Sequence, residues 1–339
     1  MEKKRIFYYD FIRTIAMSII IIFHFNCSLA IHNISGKIFL GISYANGSYA
    51  DVGVPLFFIL SGATLMLSNQ KNYTLKSFYT KRFRAIYPLY WEAYFFVLVY
   101  LFLKYKSLHP FTSEPQHWTI LLSVIGMDGY YSATISTFYV VGEWFLGCLI
   151  VMYIIFPLLR IGVKKYPKVT AFIIIAVYFV VINYYIFPEP IYQNVFVRLP
   201  EFVFGMYMAE YFKKVHKWAF GLSLLGAVIL FTVNLKYIPS IYLIVLMGIC
   251  CYLVLVYIGQ KLDGYVKEDV KKVFSWIGKY SFAIYLLHHV ISEQIISTFD
   301  SIPLSIAGIL MLFIIVIMAD FCFGYLLYRL NQRLIARWN

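Results

Sequence analysis

The chain reads as an all-α, polytopic integral membrane protein of about ten spanning helices, with both termini on the cytoplasmic side. Three observations predict this. Of 339 residues, 62% are hydrophobic and only 13% charged, a balance that excludes an ordinary soluble domain. Apolar runs of spanning length recur from one end of the sequence to the other. The basic residues gather on alternate connections between those runs, as the positive-inside tendency requires.

The runs fall at about 8–31, 52–70, 85–103, 138–160, 169–187, 196–212, 218–235, 240–258, 274–298 and 303–328. The sixth is the most interrupted, by Arg198, Glu201 and Glu210. The longest polar connections are about 104–137, 71–84 and 259–273, too short for a soluble domain, so residues 1–339 are expected to form one membrane-embedded unit. Met1–Arg5 ahead of the first run looks like the start of a signal peptide. Asp10, Arg13 and His24 interrupt that run, and no small-residue cleavage site follows, so it is expected to be retained as the first span.

Charge sets the orientation. Lys3–Arg5, Lys71–Arg84, Arg160–Lys168, Lys213–Lys217, Lys261–Lys279 and Arg329–Arg337 collect 23 of the 29 basic residues on one side. Lys37, Lys104, Lys106, Arg198 and Lys236 fall on the other, and Arg13 lies within the first span. The net charge of +13 is therefore topology, and no nucleic-acid partner is expected. The partner it implies is the bilayer. Five cysteines lie in or beside apolar runs without metal spacing and read as packing residues.

Within the first span Arg13 and His24 are eleven residues apart. Eleven steps of ~100° make three turns and roughly 20°, so both share a face, about 16 Å apart along the axis. Asp10 lies three residues before Arg13 on nearly the same stripe. Ionisable side chains inside a span are costly, so such a stripe faces protein or water and marks function. His24 is the candidate general base. Arg13 either binds an anion or pairs with Asp10.

Lys81, Arg82 and Arg84 with Tyr87, Tyr90 and Trp91 form a basic, aromatic mouth before the third span. It suits a phosphorylated, nucleotide-bearing ligand, or else anchors the chain at lipid headgroups. Glu143 opens the fourth span at the outer interface, where a carboxylate can assist His24 or bind an acceptor hydroxyl. Arg198 and Glu201 bring a second outer charge pair to a span start, and Tyr285 and His288 share a face of the ninth span. No Walker loop, G-x-S-x-G elbow or H-E-x-x-H is present.

In order along nearly the whole chain these segments resemble the acyltransferase 3 family of bacterial integral-membrane acyltransferases. Arg13 and His24 match its arginine, ten residues, histidine pattern. Val54–Gly62 is similar to V-x-x-F-F-x-L-S-G, and Glu143–Leu146 with Tyr153 and Pro157 to W-F-L…Y…P. Arg198–Gly205 resembles R-x-P-x-F-x-x-G, and Ile277–His288 follows I-G-x-x-S-F-x-I-Y-L-x-H. Two positions depart. Ala85 stands at the last arginine of the family's R-R-x-x-R-I-x-P element, with Arg84 about 100° round the helix. Glu143 stands where many members carry histidine.

The resemblance implies a multi-pass protein of the bacterial cytoplasmic membrane. It implies transfer of an acyl group, usually acetyl, from acyl-coenzyme A to a hydroxyl of a surface or lipid-linked saccharide. Arg13, Lys81, Arg82, Arg84 and Tyr87 would hold the donor; His24, with Asp10 and Glu143, would be catalytic, as general base or transient acyl carrier. Arg198, Glu201, Tyr285 and His288 would serve the acceptor or back up the residues that do. No metal is expected, and a homo-oligomer is left open. The rival reading is a transporter or flippase using Asp10, Arg13 and His24 as a polar path, against which the two halves show no internal repeat.

Overall fold

The computed structural model describes residues 6–34, 41–69, 73–109 and 113–338. Lys3, Lys4, Arg5, Lys37 and Lys71, which enter the charge asymmetry, lie outside the described residues. The chain is nearly all helix. α1 (Phe7–Ile31) is followed by a two-residue antiparallel ladder of β1 (Ser43–Tyr44) and β2 (Gly47–Ser48). Then come α2 (Ala50–Ser68), α3 (Leu75–Tyr105), the short α4 (Ile120–Ile125) and α5 (Asp128–Tyr131), and α6 (Glu143–Lys165). α7 (Pro167–Asn183), α8 (Val195–Tyr211), α9 (Lys217–Thr232), α10 (Ser240–Leu262), α11 (Glu268–Ile296) and α12 (Ile306–Trp338) complete it.

Every one of the ten apolar runs is helical, but among the described residues only six helices are long and apolar enough to cross a membrane by themselves: α1, α2, α3, α6, α10 and most of α12. α7 and α9 are apolar but have 17 and 16 residues. α8 is equally short and carries Arg198, Glu201 and Glu210, and polar residues dilute α11. Two boundaries move. α3 begins at Leu75, ten residues before the apolar run, capped by the Thr74 hydroxyl accepting from the Ser77 amide, so Lys81, Arg82 and Arg84 lie on the same helix as Tyr87, Tyr90 and Trp91. α6 starts at Glu143, five residues later than the apolar run, because Gly142 and Glu143 have φ of +95° and +32°.

α2 is the central helix. It packs on α1, α8 and α10, while α11 packs on α1 and α12. The α2–α8 crossing brings backbone onto backbone: a Cβ on Gly62 would lie 1.9 Å from the Phe202 carbonyl oxygen, and one on Gly205 1.9 Å from that of Ile59. Small residues permit such contact where helices have no hydrophobic drive to associate. α7 and α9 instead turn large apolar side chains outward, among them Phe172, Phe179, Trp218 and Leu222, as a lipid-facing surface does.

The connection between α3 and α6 is not an open loop. Its residues fold back along the middle of α3, which supplies a ladder of donors to its free carbonyls. Tyr87 Oη donates to Ile125 O (3.1 Å), Tyr90 Oη to Ser123 O (2.8 Å) and Trp91 Nε1 to Val124 O (2.8 Å); Tyr94 Oη donates to Phe138 O. Non-helical backbone inside a membrane protein is tolerated only when its polar groups are partnered like this. The polar atoms of Tyr87, Tyr90 and Trp91 thus hold this connection against α3.

Candidate active site

Helices α1, α2, α3, α6, α8 and α11 enclose a cavity of about 630 Å³, within the range of small-molecule sites. Toward the amino-terminal end of α1 it is lined by Arg13, Ser61, Thr64, Arg82, Tyr153 and Ser281. Toward the other end it is lined by Ser48, Asp51, Trp144, Tyr192, Gln193 and Arg198. His24, Glu143, Tyr285 and His288 line the same cavity.

The backbone turn at Gly142 places Glu143. The Gly142 carbonyl accepts from Tyr285 Oη at 2.5 Å, and α5 lies so close that a Cβ on Gly129 would sit 2.7 Å from the Glu143 carbonyl carbon. A positive φ on a non-glycine residue is strain of the kind that collects at functional sites. Glu143 thus presents one oxygen to each of two histidines: Oε2 lies 3.6 Å from His24 Nε2 and Oε1 3.9 Å from His288 Nε2. The His24 ring also lies 5.0 Å from that of His288 and 5.3 Å from that of His289. His288 Nδ1 donates to the Tyr285 carbonyl at 2.8 Å. A carbonyl only accepts, so in the neutral ring Nε2 carries the lone pair and points it at the carboxylate. The three ligand atoms lie within 4.8 Å of one another. Chemically, the cluster offers a base (His24), a carboxylate that can orient it and stabilise its cation, and a second imidazole.

Arg13 lines the cavity, with Nη1 2.9 Å from Asp10 Oδ1. Asp10 itself is buried against Gly278, outside the lining and about 21 Å from His24 by helical rise. The stripe thus divides: Arg13 and His24 reach the cavity, and Asp10 braces Arg13. Of the basic mouth only Arg82 enters, its guanidinium 6.0 Å from the Tyr153 ring centre and its Nε buried with no partner among the described residues. Lys81 and Arg84 are exposed, and neither they nor Tyr87 lines the cavity. Ala85, not Arg84, faces it. The reason is the helix itself: with α3 continuous through this stretch, neighbours point about 100° apart.

Arg198 and Glu201 are fully buried and paired at 3.0 Å. Arg198 also donates Nε to Tyr192 O at 2.7 Å, approaches Asp51 at 3.9 Å and lies over the Trp144 ring at 5.7 Å. Its Nε and Nη1 are engaged, so it braces the cavity wall; Glu201 stays behind it, off the lining. Asp51, Tyr192 and Gln193 carried no signal in the sequence. Asp51 accepts from Ser48 N at 2.9 Å and Oγ at 2.8 Å, a local turn that alternation of apolar residues does not announce.

A family model for the acyltransferase domain, Acyl_transf_3, matches residues 6–329. An uncharacterized protein of Haemophilus influenzae (strain ATCC 51907 / DSM 11121 / KW20 / Rd) is 27% identical over 218 residues, 55% of this chain and 89% of that protein. No solved structure matches. The family match spans nearly the whole chain, through every helix that builds the cavity, and the chain belongs to the acyltransferase 3 family of multi-pass membrane acyltransferases.

Proposed function

We propose that the chain moves an acyl group, acetyl before others, from cytoplasmic acyl-coenzyme A to a hydroxyl of a surface or lipid-linked saccharide. The observation that carries the reading is the His24–Glu143–His288 cluster lining one cavity with Arg13 and Arg82. Arg13 and Arg82 suit the phosphates of the donor at the basic end. Asp51, Gln193, Trp144 and Tyr192 suit a hydroxyl-rich acceptor at the other, offering acceptors, an amide and flat apolar faces.

The chemistry follows from that arrangement. His24 Nε2 takes the proton of the acceptor hydroxyl as its oxygen attacks the thioester carbonyl. The tetrahedral adduct collapses with loss of the carbon–sulfur bond, and the proton passes from His24 to the departing thiolate. Glu143 stabilises the imidazolium formed between these steps. Holding both substrates in one enclosed site replaces a bimolecular encounter with a positioned one.

The test is label transfer in membranes from ¹⁴C-acetyl-coenzyme A, with succinyl-coenzyme A as second donor, followed into glycan. Wild type is expected to label glycan, and His24→Ala to lose label by about 10²- to 10⁴-fold, the contribution of general-base catalysis. Equal labelling by a folded His24→Ala would sink the base assignment. Labelling from neither donor would favour transport through the polar path.

A further inference from the structure

We infer that His24, Glu143 and His288 form a binding site for a divalent transition cation of the zinc class, and that occupancy shuts the enzyme off. The geometry is that of a gap and not of a hydrogen-bonded cluster. Glu143 stands 3.6 Å from His24 Nε2 and 3.9 Å from His288 Nε2, both too long for a hydrogen bond. His288 Nε2 and Glu143 Oε1 are buried and have no hydrogen-bond partner among the described residues. The His288 side chain is 2% exposed, so bulk water does not satisfy it.

A lone pair aimed at a carboxylate oxygen across such a gap is repulsive unless something positive lies between. A proton on one of the three groups is one answer. A cation coordinated by all three is the other. Metal–ligand bonds of ~2.0–2.1 Å in tetrahedral array put neighbouring ligand atoms roughly 3.3 Å apart. The two spacings to Glu143 need close by about 0.3 and 0.6 Å, and all three ligand atoms already lie within 4.8 Å of one another. Two imidazoles and one carboxylate select zinc, cobalt or nickel over magnesium or calcium. The Tyr285 carbonyl on His288 Nδ1 is the outer hydrogen bond that fixes a metal-binding tautomer. The fourth position opens on the cavity, where no side chain among the described residues completes the set.

A cation held here occupies the His24 lone pair that must receive the acceptor proton, so binding and turnover exclude each other. That consequence rests on the acyl-transfer reading; the binding does not.

The purified, untagged full-length chain in detergent, stripped with chelator, is titrated with Co²⁺ and then Zn²⁺. Wild type is expected to develop the intense visible absorption of tetrahedral Co²⁺ at one equivalent, bleached by Zn²⁺, and to gain thermal stability with the metal. His288→Ala and Glu143→Gln should each weaken binding at least tenfold, whereas His289→Ala retains it; the melting of each metal-free variant reports its folding. Acetyl transfer by the stripped protein should fall with Zn²⁺ and return on chelation. No cobalt spectrum in wild type, or an unchanged one in folded His288→Ala and Glu143→Gln, overturns the site whether or not transfer occurs. A cobalt site in a protein that transfers no acyl group supports the site and removes the acyl-transfer reading.

Discussion

Arg82 and Arg84 sit two residues apart on α3 and end in different worlds. Arg82 reaches the cavity beside Tyr153 with a buried, unpartnered Nε among the described residues, while Arg84 is exposed and off the lining. A charge-assisted hydrogen bond to a donor phosphate is worth ~1.5–3 kcal/mol. Arg82→Ala is therefore expected to raise the donor KM about 10- to 100-fold with a smaller change in kcat. An exposed substitution away from caps and pairs costs within ~0.5 kcal/mol, so Arg84→Ala should stay within about twofold. Steady-state kinetics against acetyl-coenzyme A separate the two; equal effects would return the donor contact to the whole basic mouth. Tyr87→Phe tests the other half of the revision: it removes a hydrogen bond to the α3–α6 hairpin and should cost stability with little change in donor KM.

At the scale of elements, the ten helices were legible because each is an apolar run, and the Arg13–His24 relation because both residues ride on one helix of known pitch. The α3–α6 connection was not. Its helices are four and six residues long, too short to show a period, and its partners are side chains of α3 thirty-odd positions away. Glu143 was already a candidate partner of His24; that His288 joins them was hidden for the same reason, because the three ride on helices distant in sequence. The hairpin gives Glu143 its seat, since Gly129 passes within what a Cβ would make 2.7 Å of the Glu143 backbone. Gly129→Ala should push the start of α6 aside. A 1 Å misplacement of a catalytic group costs up to ~10² in rate, so kcat is expected to fall 10- to 100-fold while the protein still extracts and elutes as wild type. Unchanged kcat would show that Glu143 is not held by this contact.

For the whole molecule the decisive property is which end of the cavity meets the cytoplasm. Arg13 and Arg82 mark one end, and α1 begins there beside the last turn of α10: a Cβ on Gly259 would lie 2.6 Å from Tyr8 Cβ. The connection after α10 belongs to that end. It carries Lys261, Lys267, Lys271 and Lys272 around the exposed Tyr265, and Lys271 Nζ lies 5.9 Å from the Phe7 ring centre. The connection before α10 exposes Tyr237 and has Lys236 alone. The 23 residues of α10 rise about 34 Å, enough to separate the two connections by a bilayer core. Positive-inside charge then predicts Tyr265 in the cytoplasm and Tyr237 outside. In intact cells a membrane-impermeant maleimide should label Tyr237→Cys and should label Tyr265→Cys only after the membrane is opened. Reversed labelling would turn the basic end outward, away from the cytoplasmic pool of acyl-coenzyme A, and the donor route would have to be abandoned even with the His24 chemistry intact. Labelling of both from one side would show that α10 does not cross, and the even count of spans would fail with it.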